Sequence, residues 1–339
     1  MQLALQEFLS LRHELPVIDV RSEGEFSAGH IPGVHNVPLL NDAERAVVGT
    51  IYKTSGQRKA IHEGFRLVGP RLLDMVTTAE TITAGKDAIV HCWRGGMRSA
   101  NFAQFIGMVG IKSHVLAGGY KTYRQAALEA FKKPLKLISI TGCTGSGKSD
   151  VLRELARQGQ QVVDLEAMAH HKGSAFGGLL QPPQPTTEQF QNLLFEQLMN
   201  LQADQPVWVE DESIAIGKIF LPPDFWGQLH ASPLVRMDVP KEVRVNRLVE
   251  EYGPADRKEF LTIMEKITKK LGGQNFNAAR EKLLQDDMPS VIDILLTYYD
   301  KAYQRSMEKR VSQLRFSAPW DGKNLEQFVS DLIQRNVRS

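Results

Sequence analysis

Short apolar runs separated by amphipathic stretches set the pattern of this chain. Pro16-Val17-Ile18-Asp19-Val20 and Asp87-Ala88-Ile89-Val90-His91 stay apolar for only a few residues and then turn polar, as buried strands do. Between them, Arg21 to Phe26 reads as a brief helical turn. Gly29-His30-Ile31-Pro32-Gly33 reads as a loop and Asn36-Val37-Pro38-Leu39 as extended chain. Residues 43–65 are helix-prone in part, and Leu72 to Thr83 has the spacing of an amphipathic helix. A further helix is predicted from Ser99 to about Val109, packing through Ala100, Ala103, Phe105 and Ile106. Val115-Leu116 adds a short strand before Gly118-Gly119-Tyr120. Strands alternating with helices predict a parallel α/β sheet.

The pattern restarts after Lys132-Lys133-Pro134, where proline disfavours a continuing helix. Leu135 to Thr141 is a predicted strand, followed by a helix-prone Asp150 to Gln158 with Gly159 as its stop. Gln161-Val162-Val163-Asp164 and Pro206-Val207-Trp208-Val209 read as strands that run into acids, and Leu234 to Val239 as a fourth strand. The sheet is expected to end near residue 240, beyond which the chain reads as helical. The expectation is therefore two α/β domains. Residues 1–133 form a parallel α/β domain, and residues 134–339 form a P-loop NTPase-like α/β domain with a helical C-terminal part. A length of 339 residues agrees, since single cores rarely grow beyond about 250–300 residues.

Composition changes this picture little. Hydrophobic residues at 42% and charged residues at 24% exclude a disordered or fibrous chain. A net charge of +2 neither demands nor forbids a nucleic-acid partner. Cys92 and Cys143 are the two cysteines, too few for a disulfide framework and in keeping with a reducing cytosol. No signal-peptide pattern opens the chain, and no apolar stretch approaches the ~18 residues of a membrane span. A cytoplasmic, monomeric enzyme is the working expectation.

The chemistry concentrates in two loops. Cys92-Trp93-Arg94-Gly95-Gly96-Met97-Arg98-Ser99 follows a strand and opens a helix. Inward-facing N–H groups, the positive end of the helix dipole, and the charges of Arg94 and Arg98 all favour a Cys92 thiolate. Such a thiolate can attack sulfur, selenium or phosphorus. The second loop, Gly142-Cys143-Thr144-Gly145-Ser146-Gly147-Lys148-Ser149, fits G-x-x-x-x-G-K-[ST] between strand and helix, the context of a phosphate-binding P-loop. Lys148 offers a point charge to the terminal phosphates, and Ser149 could ligate Mg²⁺.

Around the P-loop, Asp164 or Glu166, and Glu210 or Glu212, could orient a metal. His170-His171-Lys172-Gly173-Ser174-Ala175-Phe176-Gly177 suits a mobile loop in which His171 and Ser174 touch an anionic substrate. No ligand set for a resident metal is complete there. Lys301, Arg305 and Lys309, four residues apart, share a helix with Tyr299 and Tyr303 and could hold RNA phosphates and stack a base.

The first half resembles the rhodanese family. Asp19-Val20-Arg21-Ser22-Glu23, Glu25-Phe26, Gly29-His30-Ile31-Pro32-Gly33-Val34, Asn36-Val37-Pro38-Leu39 and Leu116-Ala117-Gly118-Gly119-Tyr120 carry that resemblance over about residues 1–130. His91-Cys92, five residues, then Arg98-Ser99 also fits the cysteine-phosphatase pattern. The union of both halves resembles the tRNA 2-selenouridine synthase family, through the two loops above, His171 to Gly177, and Glu210-Asp211-Glu212-Ser213.

That resemblance implies action on wobble 2-thiouridine in the anticodon region of tRNA. The family S-geranylates the base with geranyl diphosphate and then inserts selenium from selenophosphate, with Cys92 as the selenium-bearing residue. No tightly bound cofactor is implied. Two other readings stay open at this stage: an ATP-coupled rhodanese sulfurtransferase, and a Cys-dependent phosphatase fused to a small-molecule kinase.

Overall fold

Five parallel strands carry the first half of the chain in a computed structural model that describes residues 1–338. The chain divides into two compact units, Met1–Ala130 and Phe131–Ser339. In the first, β1 (Gln2–Leu3), β2 (Val17–Asp19), β3 (His35–Asn36), β4 (Ala88–His91) and β5 (Ser113–Leu116) lie in the order β1-β5-β4-β2-β3. Ile18, Ile89 and Val90 are fully buried, as expected of strands covered on both faces. The register sets Asp19 opposite both His91 and Asn36, so the strands end together. The loop after β4, which begins with Cys92, therefore emerges beside the turn after β2.

Helices bracket this sheet. Glu23–Ala28 starts at Ser22, whose N–H is taken by Glu25 Oε2 at 3.1 Å in a capping box. The helix-prone stretch 43–65 resolves into two helices, Asp42–Ser55 and Gln57–Val68, broken at Gly56. Leu72–Thr83 is helical over its predicted length, and Met97–Gly107 follows the Cys92 loop.

The second unit holds β6 (Leu137–Gly142), β7 (Gln161–Val163), β8 (Val207–Glu210), the antiparallel ribbon β9 (Ala215–Ile216) and β10 (Ile219–Phe220), β11 (Leu234–Asp238) and β12 (Leu314–Pro319). Its main sheet is parallel in the order β12-β11-β6-β8-β7. The sheet does not stop near residue 240, as the sequence pattern led us to expect. After a helical excursion the chain returns as β12 beside β11, and Leu325–Arg338 packs on the P-loop helix Lys148–Arg157 through Val329 and Leu332 against Val151, Leu152 and Leu155. The excursion has its own core of Phe260, Met264, Leu283, Val291 and Leu295. Among the described residues, no helix is long and apolar enough to cross a membrane.

Candidate functional site

Cys92 is the first residue past β4 and is only 4% exposed. Its backbone is fixed from behind. Tyr120 N–H donates to the Cys92 carbonyl and Lys121 N–H to the Trp93 carbonyl, each at 2.9 Å, from the first turn of the helix Gly119–Ala130. Gly119 makes that approach possible, since its φ is +59° and a Cβ there would strike the Cys92 carbonyl and the Gly95 nitrogen. With the Cys92 and Trp93 carbonyls tied off, the N–H groups of Arg94, Gly96 and Ser99 face the sulfur. Ser99 Oγ lies 3.3 Å from Sγ. Burial alone would push the thiol up, but the Ser99 hydroxyl and these three N–H groups outweigh it and hold the thiol below its ordinary value. Buried His91 is pushed down by desolvation and stays neutral beside the loop.

The arginines behave differently from one another. Arg98 meets Glu25 through two contacts of 2.5 and 3.1 Å, so its guanidinium is already engaged by the capping carboxylate of the helix Glu23–Ala28. Arg94 presents its N–H to the sulfur while its side chain is exposed. Two further residues, outside the sequence-predicted site, are buried beside the loop: Arg21 pairs with Asp19 at 2.6 Å and lies 3.9 Å from the Tyr120 ring centroid and 6.0 Å from that of Trp93.

In the second unit, Thr144 to Ser149 line a cavity of about 340 Å³ together with Arg153, Glu166, Ser174, Glu212, Arg247 and Tyr299. Gly147 has φ +81°, and a Cβ there would meet Arg247 and Trp320. Gly142 closes β6 just before the loop. Arg244, nearly buried, donates to the Thr144 carbonyl at 3.3 Å and grips Asp300 with two bonds of 2.8 Å, which holds the P-loop against the helix Met288–Glu308. Burial would lower Lys148, but Glu166, Glu212, Glu210 and Asp211 raise it instead. Burial, then the Asp300 charge, push the Cys143 thiol up to about 11, so Cys143 is an inert loop residue at neutral pH.

The acids sort by function. Glu166 accepts from Ser149 Oγ at 3.0 Å, so the carboxylate at the P-loop serine is Glu166 rather than Asp164. Asp164 caps the helix Leu165–Ala169 through Ala167 N–H. Glu210, fully buried, accepts from Leu165 N–H at 3.0 Å and is pushed up by burial and by Asp164. Glu212 lines the cavity, and burial and Glu166 push it up to about 8. Ser174 reaches the cavity, whereas His171 turns toward Gly177 and Gly178. Their loop is pinned by Phe176, stacked on Phe260 at 4.5 Å.

The basic and aromatic residues of the C-terminal helix part company. Lys301, Arg305 and Lys309 are exposed, while Tyr299 faces the P-loop cavity and Tyr303 lies by Cys143. No group of three or more potential metal-ligating side chains occurs among the described residues.

Comparison with known proteins matches this division. A family model for the tRNA 2-selenouridine synthase AAA domain matches residues 135–334, and one for the rhodanese-like domain matches residues 4–126. A tRNA 2-selenouridine synthase of Nitrosomonas europaea is 34% identical over 88% of this chain and 90% of its own. That of Shewanella sediminis is 35% identical over 89% and 90%, and that of Bdellovibrio bacteriovorus 39% identical over 71% and 65%.

Proposed function

The chain belongs to the tRNA 2-selenouridine synthase family, and from that premise we propose that it converts wobble 2-thiouridine in tRNA to 2-selenouridine in two steps divided between its units. The observation that carries the reading is the Cys92 sulfur, held below its ordinary pKa inside a buried ring of N–H donors. A thiol that burial alone would neutralise is kept reactive, which suits exchange of one chalcogen for another.

The first step is assigned to the P-loop. Thiocarbonyl sulfur leaves a pyrimidine poorly, and alkylation turns it into a thiol leaving group. The cradle from Gly142 to Ser149 suits the diphosphate of geranyl diphosphate, with Lys148 on its terminal oxygens. Sulfur forms a bond to the allylic carbon as the carbon–oxygen bond breaks and diphosphate departs. Glu212 shares the cavity with Lys148, and because burial keeps its carboxyl protonated at neutral pH, the proton that the base releases on alkylation passes to solvent. If Mg²⁺ participates, Ser149 and Glu166 would hold it, and it would neutralise charge on the departing diphosphate.

The second step is assigned to the Cys92 loop, which engages selenophosphate through its N–H groups and the exposed Arg94. The Cys92 thiolate bonds to C2 as the C2–sulfur bond breaks and geranylthiol carries off the electron pair; selenium of the selenophosphate then bonds to C2 as the C2–Sγ bond breaks and the thiolate is restored, and water cleaves the selenium–phosphorus bond to release phosphate. Selenium enters at the selenide level, so no oxidant is needed. Lys148→Ala tests the P-loop assignment: with 2-thiouridine tRNA and geranyl diphosphate, mass spectrometry of the nucleosides is expected to show no geranylated product. Undiminished transfer by that variant overturns the assignment.

A further inference from the structure

An apolar pocket opens beside the Cys92 loop, and neither step assigned above uses it. It encloses about 410 Å³ between the helices Asp42–Ser55, Gln57–Val68 and Met97–Gly107, inside the size range of preformed small-ligand sites. Leu40, Val48, Ile61, Phe65 and Phe105 line it, and Met97 and Arg98 lead from it into the loop. Leu40, Val48 and Phe105 belong to the same hydrophobic cluster as Cys92, so the pocket is continuous with the wall behind the sulfur. The free protein leaves Tyr52 56%, Phe65 60% and Met97 46% exposed there, and the helix Asp42–Ser55 buries none of its residues. This apolar surface is open to solvent.

Two glycines sharpen the point. Gly49 and Gly64 sit mid-helix, where glycine is a poor choice, and both line the pocket. A Cβ at either would meet nothing within 4 Å, so neither packing nor backbone geometry requires glycine. What a side chain there would take up is pocket volume. The rim carries Arg45, Lys53 and Arg98, with Glu25 contacting Arg45 at 3.7 Å and Arg98 at 2.5 Å. Apolar walls with a cationic rim fit an apolar chain attached to a polyanion.

We propose that this pocket holds the ten-carbon isoprenoid chain of S-geranylated tRNA, so that the C2–sulfur bond lies at the Cys92 loop while cations at the rim meet neighbouring phosphates. The proposal rests on the two-step reading and assigns no covalent role to the pocket. It makes the selenation site selective for the alkylated intermediate over 2-thiouridine.

The probe is an anticodon stem-loop RNA whose 2-thiouridine carries a methyl, a dimethylallyl or a geranyl group on sulfur, given with selenophosphate to the full chain. The expected result is a rise in kcat/KM of roughly tenfold or more at each step of that series, the scale of lost apolar contacts in a pocket. Gly64→Phe, which fills the pocket, is expected to flatten that series, with the rate of Cys92 alkylation by iodoacetamide as the folding control for the unit that carries the pocket. A wild-type enzyme that treats methyl and geranyl RNAs alike overturns the pocket and leaves the two-step reading intact. A wild-type enzyme that converts none of the alkylated RNAs overturns the reading itself. A folded Gly64→Phe enzyme that keeps the chain-length preference also overturns the pocket, and if that variant fails to fold, Gly49→Leu and the wild-type series decide.

Discussion

Ser99→Ala removes one of the donors that face the Cys92 sulfur and leaves the backbone N–H groups of Arg94, Gly96 and Ser99 in place. In the wild type the hydroxyl lies 3.3 Å from Sγ and donates to the Gly96 carbonyl at 3.0 Å, and its single proton turns to the sulfur as the thiolate forms. It is the strongest of the influences that lower this thiol, exceeded only by the opposing effect of burial. A hydrogen bond to a charged group contributes about 1.5–3 kcal/mol, and one pH unit corresponds to about 1.4 kcal/mol. The variant's thiol is therefore expected to titrate higher than the wild type's, and its alkylation at neutral pH to slow by roughly tenfold or more.

The assay is the rate of alkylation by iodoacetamide across pH, with mass spectrometry assigning the label to Cys92. Cys143 serves as an internal comparison, because it stays protonated until about pH 11. The selenation rate should follow the same shift, falling at neutral pH and recovering in alkaline buffer. An unshifted alkylation profile would show that the N–H groups suffice without the hydroxyl, and a downward shift would refute the electrostatic argument outright.

The other predictions concern both units. Gly119→Ala drives a Cβ into the Cys92 carbonyl at a φ of +59°, so thermal melting is expected to show a loss of about 1–3 kcal/mol together with weakened selenation; an unperturbed melt would contradict the close approach. Glu212 titrates at about 8 in the folded chain against 4.5 when free, so it is protonated when folded and ionised when unfolded in between. Its contribution to stability is full below pH 4.5 and declines as pH rises through about 8. Glu212→Gln should thus lose that decline in pH-dependent urea unfolding, and a difference from wild type that does not vary with pH would refute the assignment.

Much of this architecture is legible in the chain. Apolar runs of a few residues mark β2, β4, β6 and β8, and the two loops announce themselves by spacing. β12 escapes because Arg315 and Ser317 interrupt its apolar run, and its burial comes from β11 and from a helix later in the sequence. The site is legible at its nucleophile and P-loop lysine but not at their partners. Ser99, Glu25 and the Asp19–Arg21 pair act through contacts between separate elements, which periodicity does not encode. One signal was available for Ser99: it lies in the first turn of the helix after Cys92, where a hydroxyl and a free N–H face the loop together. Glu166 over Asp164 is a difference of two residues along one short helix, decided by which side chain points at Ser149.

The central claim is that Cys92 performs selenation and takes no part in alkylation. Cys92→Ala, incubated with 2-thiouridine tRNA, geranyl diphosphate and selenophosphate, tests it through mass spectrometry of the wobble nucleoside. The account predicts accumulation of the S-geranylated nucleoside with no 2-selenouridine. Continued formation of 2-selenouridine, or loss of the geranylated nucleoside, would contradict it.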